Sequence, residues 1–266
     1  MKAFFVMEQA VEPTSAKQKR GIPGVACLVI GVATILLAAY PARATDFSIW
    51  SRRMPIRFSG YDKPETLTNF PALVMLGTHL DGFSYADFNS SSNGADLRFA
   101  ASNETDELNY EIELWNTSGV SYVWVQAPSI AGTSDVIYAY WGNNSAGVPA
   151  YTTHGATWSE GYIGVWHMNL VDAADSTSNR FNTTATAGVS ATSRVDSVDG
   201  ADSFNGSARV ELAHDARLCP QSNITVEAWN CPAAMGYYNM MVTKGWDGAS
   251  SVPYLLVLSH DTNQKF

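Results

Sequence analysis

The sequence is poor in charge: only 15% of its 266 residues are Asp, Glu, Lys or Arg, against 46% apolar residues. Basic residues are the scarcer kind, 16 against 25 acidic, and no Lys/Arg cluster follows Arg57. Binding to phosphate backbones depends on such clusters, so nucleic acid is excluded as a partner. Cysteine is scarce too, at three residues, and Cys219 and Cys231 have no His pair near them, which argues against a zinc site. There is no phosphate-binding glycine loop, no metalloprotease helix and no EF-hand spacing. What fills the chain instead is Ser, Thr, Asn and Gly, with 12 Tyr and eight Trp. That is the composition of strand faces and turns.

One long apolar run stands apart from this pattern. Lys17, Lys19 and Arg20 precede an uncharged stretch from Gly21 to Ala42, broken by Pro41. Ala42 and Ala44 occupy the −3 and −1 positions of a small-residue cleavage site, so residues 1–44 read as a signal peptide with Thr45 as the mature N-terminus. The same run is long enough to cross a bilayer as an uncleaved anchor, with its basic end held inside. Both fates place residues 45–266 outside the cytoplasm, secreted or in the cell envelope; membrane association follows only from the uncleaved form. Residues 1–44 carry five basic and two acidic residues, which leaves 11 basic and 23 acidic in the exported part. Outside the cytoplasm the even pair Cys219 and Cys231 predicts one disulfide, closing a short loop worth about 3 kcal/mol. Cys27 lies near the start of the apolar run, the wrong end for a lipid-modified cysteine.

Past the leader, short alternating segments recur between Asn, Gly, Ser and Pro clusters. Ile56–Phe58, Pro71–Leu76, Leu97–Ala100, Tyr110–Trp115, Ser121–Val125 and Val136–Trp141 predict strands, with a helical turn only near Tyr85–Phe88. Gly142–Ala156 reads as a junction. Beyond it Ile163–Met168, Asn223–Trp229 and Pro253–Leu258 predict further strands, Ser203–Leu212 reads as a turn flanked by strands, and residues 172–194 read as loop. The expected class is all-β: two antiparallel β-sandwich modules, at 46–147 and 158–266, after an N-terminal signal or transmembrane helix.

The first module resembles the bacterial domain of unknown function DUF2341. Trp50-Ser51-Arg52-Arg53-Met54-Pro55-Ile56, Thr68-Asn69-Phe70-Pro71-Ala72-Leu73-Val74, Ala95-Asp96-Leu97-Arg98-Phe99, Glu107-Leu108-Asn109-Tyr110-Glu111-Ile112-Glu113, Val123–Ile130 and Ile137–Asn143 carry the likeness in order. That family has no settled activity, so the resemblance brings context rather than chemistry. The second module resembles a concanavalin A-like or laminin G-like jelly roll through Val165-Trp166-His167-Met168-Asn169, Ala201–Gly206 and Ile224–Trp229. The stretch is shorter than a full jelly roll, which implies a domain incomplete at its C-terminus.

Few residues offer themselves for chemistry. Glu111 and Glu113 share one strand face, and paired carboxylates serve glycoside hydrolysis. The run Glu111-Ile112-Glu113-Leu114-Trp115-Asn116 lacks the third carboxylate of jelly-roll glucanases, so the pair reads as an outward face with Ile112 and Leu114 turned inward. His167 has no visible Ser or Cys partner and reads as packing. Trp115, Trp124 and Trp141 are expected in the core rather than stacked on sugars. Asp172, Asp175, Asp202 and Asn205 lie in loops of the jelly-roll region and form the one candidate metal set, for calcium, which the resemblance also implies; no other cofactor is expected. The expected function is an exported non-enzymatic binding or adhesion protein with a carbohydrate or protein ligand. The alternatives are a glycan-active enzyme and a structural part of a membrane-anchored envelope assembly.

Overall fold

A computed structural model describes residues 5–9, 43–169, 171, 173–192, 198–220, 223–232, 240–245 and 254–257. The bulk of the expected leader and its apolar run therefore lie outside the described residues. The described strands are β1 (Phe5–Gln9), β2 (Arg43–Ala44), β3 (Arg52–Arg57), β4 (Leu67–Gly77), β5 (Arg98–Ala100), β6 (Asp106–Glu107), β7 (Tyr110–Leu114), β8 (Val120–Ile130) and β9 (Val136–Trp141). They continue with β10 (Tyr162–Trp166), β11 (Thr183–Thr192), β12 (Ala201–Leu212), β13 (Ile224–Ala228), β14 (Met240–Lys244) and β15 (Tyr254–Val257). Every described strand pairing is antiparallel, and the helical content is limited to single 3₁₀ turns. None of the described helices is long and apolar enough to cross a membrane.

Residues 43–141 form a β-sandwich. One sheet runs β2–β6–β5–β9–β3 and the other β4–β8–β7. The alternation of β8 sets the inner face of the second sheet: Ser121, Val123, Val125 and Ala127 are buried, while Tyr122 and Trp124 between them are half-buried. Val74 and Leu76 from β4, Phe99 from β5, Tyr110 from β7 and Ile137, Ala139 and Trp141 from β9 complete the core. Each Val, Leu, Ile or Phe of this set contributes roughly 1.5–3 kcal/mol on leaving water. Phe83, Tyr85, Phe88 and Trp115 close one end as an edge-to-face aromatic set around the 3₁₀ turn Tyr85–Asp87.

Where the chain leaves the ladders, a buried carboxylate holds it. Asp96 is fully buried and accepts from Asn89 N on one oxygen and from Gly142 N and Asn143 N on the other. Gly142 sits at φ +85° with Ser51 against its Cα, a position no side chain fits. Nearby, Arg98 donates to the carbonyls of Ala95, Leu97 and Gly147 and lies 3.3 Å from Glu107. Glu107 in turn accepts from Tyr151 Oη and Thr45 Oγ1.

Residues 142–156, read from sequence as a junction, are docked structure. They carry a 3₁₀ turn at Ala150–Thr152, a second follows at Ala156–Trp158, and Tyr151 enters the first core. The remaining strands form the sheets β10–β1–β13, β11–β12 and β14–β15. Ile163, Trp166, Ala173, Phe181 and Leu218 are their common core. The segment read as a loop from 172 to 194 yields β11, because Thr183–Thr192 finds a long partner in β12 that satisfies its backbone. The Ser203–Leu212 stretch, expected as a turn flanked by strands, lies within β12; its ladder to β11 breaks between Phe204 and Arg209, where Gly206 sits at φ +88° and Asn205 Oδ1 accepts from Ser207 N.

Asp96→Ala would strand three backbone N–H groups at the sandwich end. The expected destabilisation is about 3 kcal/mol in urea unfolding, with Asp96→Asn losing less because one acceptor oxygen remains.

Candidate functional site

The structure brings Glu111, Glu113 and His167 together, three residues that the sequence offered separately. β7 carries the two glutamates on the face turned away from the sandwich core, with Ile112 packed inward. The β7–β8 register slips between Ile112 and Leu114, and this bulge falls at Glu113. The face they share is covered by the chain that follows the sandwich, so it is not a solvent face. Glu113 is buried, with 1% of its side chain exposed.

His167, one residue past β10, enters between them. Its Nδ1 is 2.6 Å from Glu113 Oε2 and its Nε2 is 3.1 Å from Glu111 Oε1. Trp124 Nε1 donates to Glu113 Oε2 at 2.9 Å, Trp158 Nε1 to Glu111 Oε2 at 2.6 Å and Ser176 Oγ to Glu111 Oε1 at 2.7 Å. Trp158 lies against Trp124, Tyr162 and His167, with ring centroids 5.4–5.8 Å apart, and shields the group from water. A neutral imidazole has one N–H, and an ionised carboxylate only accepts. Two carboxylate contacts therefore need either an imidazolium between two carboxylates or a neutral imidazole with one protonated glutamate. Both arrangements carry one net negative charge.

Asp175 positions this chain. Its fully buried carboxylate accepts from Val165 N, Thr177 N, Thr177 Oγ1 and Phe181 N, and Asp175 N donates to Asn182 Oδ1. Ser176 N bonds Val165 O, which aims Ser176 Oγ at Glu111. The seam thus joins β7 and β8 of the sandwich to β10 and its following loop. Gln126 Nε2 to Ser159 Oγ at 2.9 Å extends it. The imidazole fills the gap between the carboxylates, where a glycoside hydrolase would need to hold its scissile bond.

Asp172 lies outside the described residues. Asp175 has both oxygens occupied by the chain's own donors, as above. Asn205 is exposed and accepts from Ser207. Asp202, at the buried start of β12, has no hydrogen-bond partner on either oxygen among the described residues. No group of three or more His, Cys, Asp or Glu suited to a metal occurs among the described residues. Cys219 is half-buried beside the 3₁₀ turn Ala216–Leu218, and Cys231 is exposed beyond β13. Trp141 is in the core, Trp115 packs against it, and Trp124 lies under the seam.

Two of the hollows on the described surface of the sandwich have contrasting linings. One, of about 350 Å³, is lined by Phe58, Tyr61, Phe70, Leu73 and Arg57 among others. The other, of about 170 Å³, is lined mainly by hydrogen-bonding side chains: Asn69, Asp106, Glu107, Asn109 and Gln126. Asn109 Nδ2 donates to Gln126 Oε1 at 3.1 Å, which fixes both amides at its rim. The sequence did not mark these five polar residues as a site, because they come from three strands and a loop.

The fold and seam define an all-β protein built on an antiparallel β-sandwich. Residues 93–155 match the family described as Domain of unknown function (DUF2341). The match spans β5 to β9 and the docked turn at Ala150–Thr152, and it contains Asp96, Glu107, Glu111 and Glu113. No curated protein and no solved structure matches the chain.

His167→Ala should cost about 3–5 kcal/mol in chemical denaturation, since it removes the imidazole that separates and pairs the Glu111 and Glu113 carboxyl groups. Adding Glu113→Gln to that variant should recover part of the loss, a coupling read by a double-mutant cycle.

Burial holds the Asp202 carboxyl protonated up to about pH 6, against an ordinary value of 3.8. The folded state then binds more protons than the unfolded chain between about pH 4 and pH 6, so stability falls as pH rises through that window. Asp202→Asn should remove about 1 kcal/mol of this fall, seen as a flatter plot of thermal midpoint against pH.

Proposed function

We propose that this chain is an exported, non-enzymatic binding protein of the cell surface, whose sandwich recognises a carbohydrate ligand. The observation that carries the reading is the hollow lined by Asn69, Asp106, Glu107, Asn109 and Gln126. Asn69, Asp106 and Asn109 present donors and acceptors at short spacing, the complement of a hydroxyl-rich sugar ring, while Glu107 and Gln126 are bonded to Thr45, Tyr151 and Ser159 and hold the floor in place. Its rim is rigid: Asn109 and Gln126 are bonded to each other, and Gln126 is tied to Ser159 in the following region. The jelly-roll resemblance of residues 158–266 supports the same class of ligand by analogy of fold. The Lys17–Ala44 leader pattern supports export, and the disulfide Cys219–Cys231 belongs to that proposal.

Two measurements bear on it. Intact mass of the exported protein reads cleavage after Ala44 and oxidation of the cysteine pair together. A glycan array followed by calorimetry on the hit reads the ligand. Asp106→Asn, which keeps the side chain's shape and removes its charge, should weaken glycan binding about ten-fold. Equal affinity of the two proteins, or no binding to any glycan, sinks the carbohydrate reading.

A further inference from the structure

β1 lies between β10 and β13 and pairs antiparallel with both. Phe5 stands opposite Trp166 on one side and Ala228 on the other; Met7 stands opposite Gly164 and Val226. β10 and β13 consequently run parallel to each other, two inter-strand spacings or about 9–10 Å apart, and each turns a hydrogen-bonding edge towards the strand between them.

The donor of that strand precedes the leader. If the bond after Ala44 is cut, Phe5–Gln9 leaves with the leader. If the apolar run stays as an anchor, its basic end keeps Phe5–Gln9 on the cytoplasmic side. Either fate takes this strand away from the exported region. The other described strands of that region are committed, β11 to β12 and β14 to β15.

We infer that the slot between β10 and β13 is a strand-acceptor site in the exported protein, occupied by an extended segment of a partner polypeptide that adds antiparallel to both edges. The inference rests on the export reading and is independent of the carbohydrate hollow. Strand addition supplies its affinity through backbone hydrogen bonds and its selectivity through alternate side chains.

The two edges state what the occupant must be. Ile224, Val226 and Ala228 alternate with exposed Thr225 and Glu227. Ile224 packs against the core that holds Trp166 and Ile163. The register skips Ile163 between Tyr162 and Gly164, a bulge that lets Ile163 share the core side with Trp166. Gly164 is needed there because the Trp166 ring lies across its Cα. An occupant therefore carries apolar residues opposite Trp166/Ala228 and opposite Gly164/Val226. The residue between them faces Val165 and Glu227, where an acidic side chain is disfavoured.

The test uses the exported protein and a synthetic peptide of residues 3–11 as the probe. Intact mass first establishes the fate of residues 1–44. Hydrogen exchange at 162–166 and 224–228 is then followed with and without peptide. Both segments should exchange fast alone and at least about ten-fold slower at saturating peptide. The same peptide with Met7→Pro, which lacks the central donor, should give no protection. Slow exchange in both segments without peptide would mean that the chain fills its own slot, which overturns the acceptor site while leaving export intact. Fast exchange that peptide does not change, or equal protection by the proline peptide, overturns it as well. An exported protein that retains residues 1–44 with Phe5–Gln9 protected in the slot would instead defeat the reading of residues 1–44 as a cleaved leader or an anchor with its basic end inside.

Discussion

A carboxylate that leaves water loses hydration worth several kcal/mol, and only direct hydrogen bonds and an opposite charge can offset that loss. Glu113 is almost wholly covered, so the placement of everything around it follows from this constraint. His167 has to reach it from beyond β10, Trp124 has to turn its indole N–H towards it, and Trp158 has to cap the neighbouring Glu111. The outer face of β7 and β8 therefore cannot stand alone as a solvent face. The region after the sandwich is attached through a specific polar lock rather than through apolar area alone.

The same device recurs where the backbone is irregular. Asp96 gathers the N–H groups of Asn89, Gly142 and Asn143 at one end of the sandwich. Asp175 gathers those of Val165, Thr177 and Phe181 behind the seam. A buried carboxylate can take several short charge-assisted bonds, so one side chain can fix a loop that no strand ladder reaches. The two anchors hold the ends of the path on which the seam depends: Asp96 where the chain leaves β9, and Asp175 where the loop folds back on β10.

The polar hollow and the seam share a strand. Gln126 of β8 lines the hollow through its position in the sheet and reaches Ser159 of the following region through its amide. Attachment of the second region thus orders the rim of the first region's hollow. The remaining part of that sheet's outer face, Leu73 and Met75 on β4, stays exposed beside it.

Much of this was written in local pattern. The strands β3, β4, β5, β7, β8, β9, β10, β13 and β15 follow runs of alternating or β-branched residues, because a period of two survives wherever one face is buried. The turn at Tyr85 was legible for the same local reason. β11 was not, since its Thr- and Ala-rich run looks like loop until β12 lies beside it, and the docked turns of 142–156 looked like a linker. The sequence by itself determined an all-β chain, the sandwich core, and a pair of glutamates on one strand face. Only the tertiary structure decided that this face is an interior, that His167, 54 residues after Glu113, fills it, and that Asp175 serves the backbone. Strand periodicity reports which side a residue faces; what covers that side is fixed by contacts between segments far apart in the chain, and no local pattern carries that information.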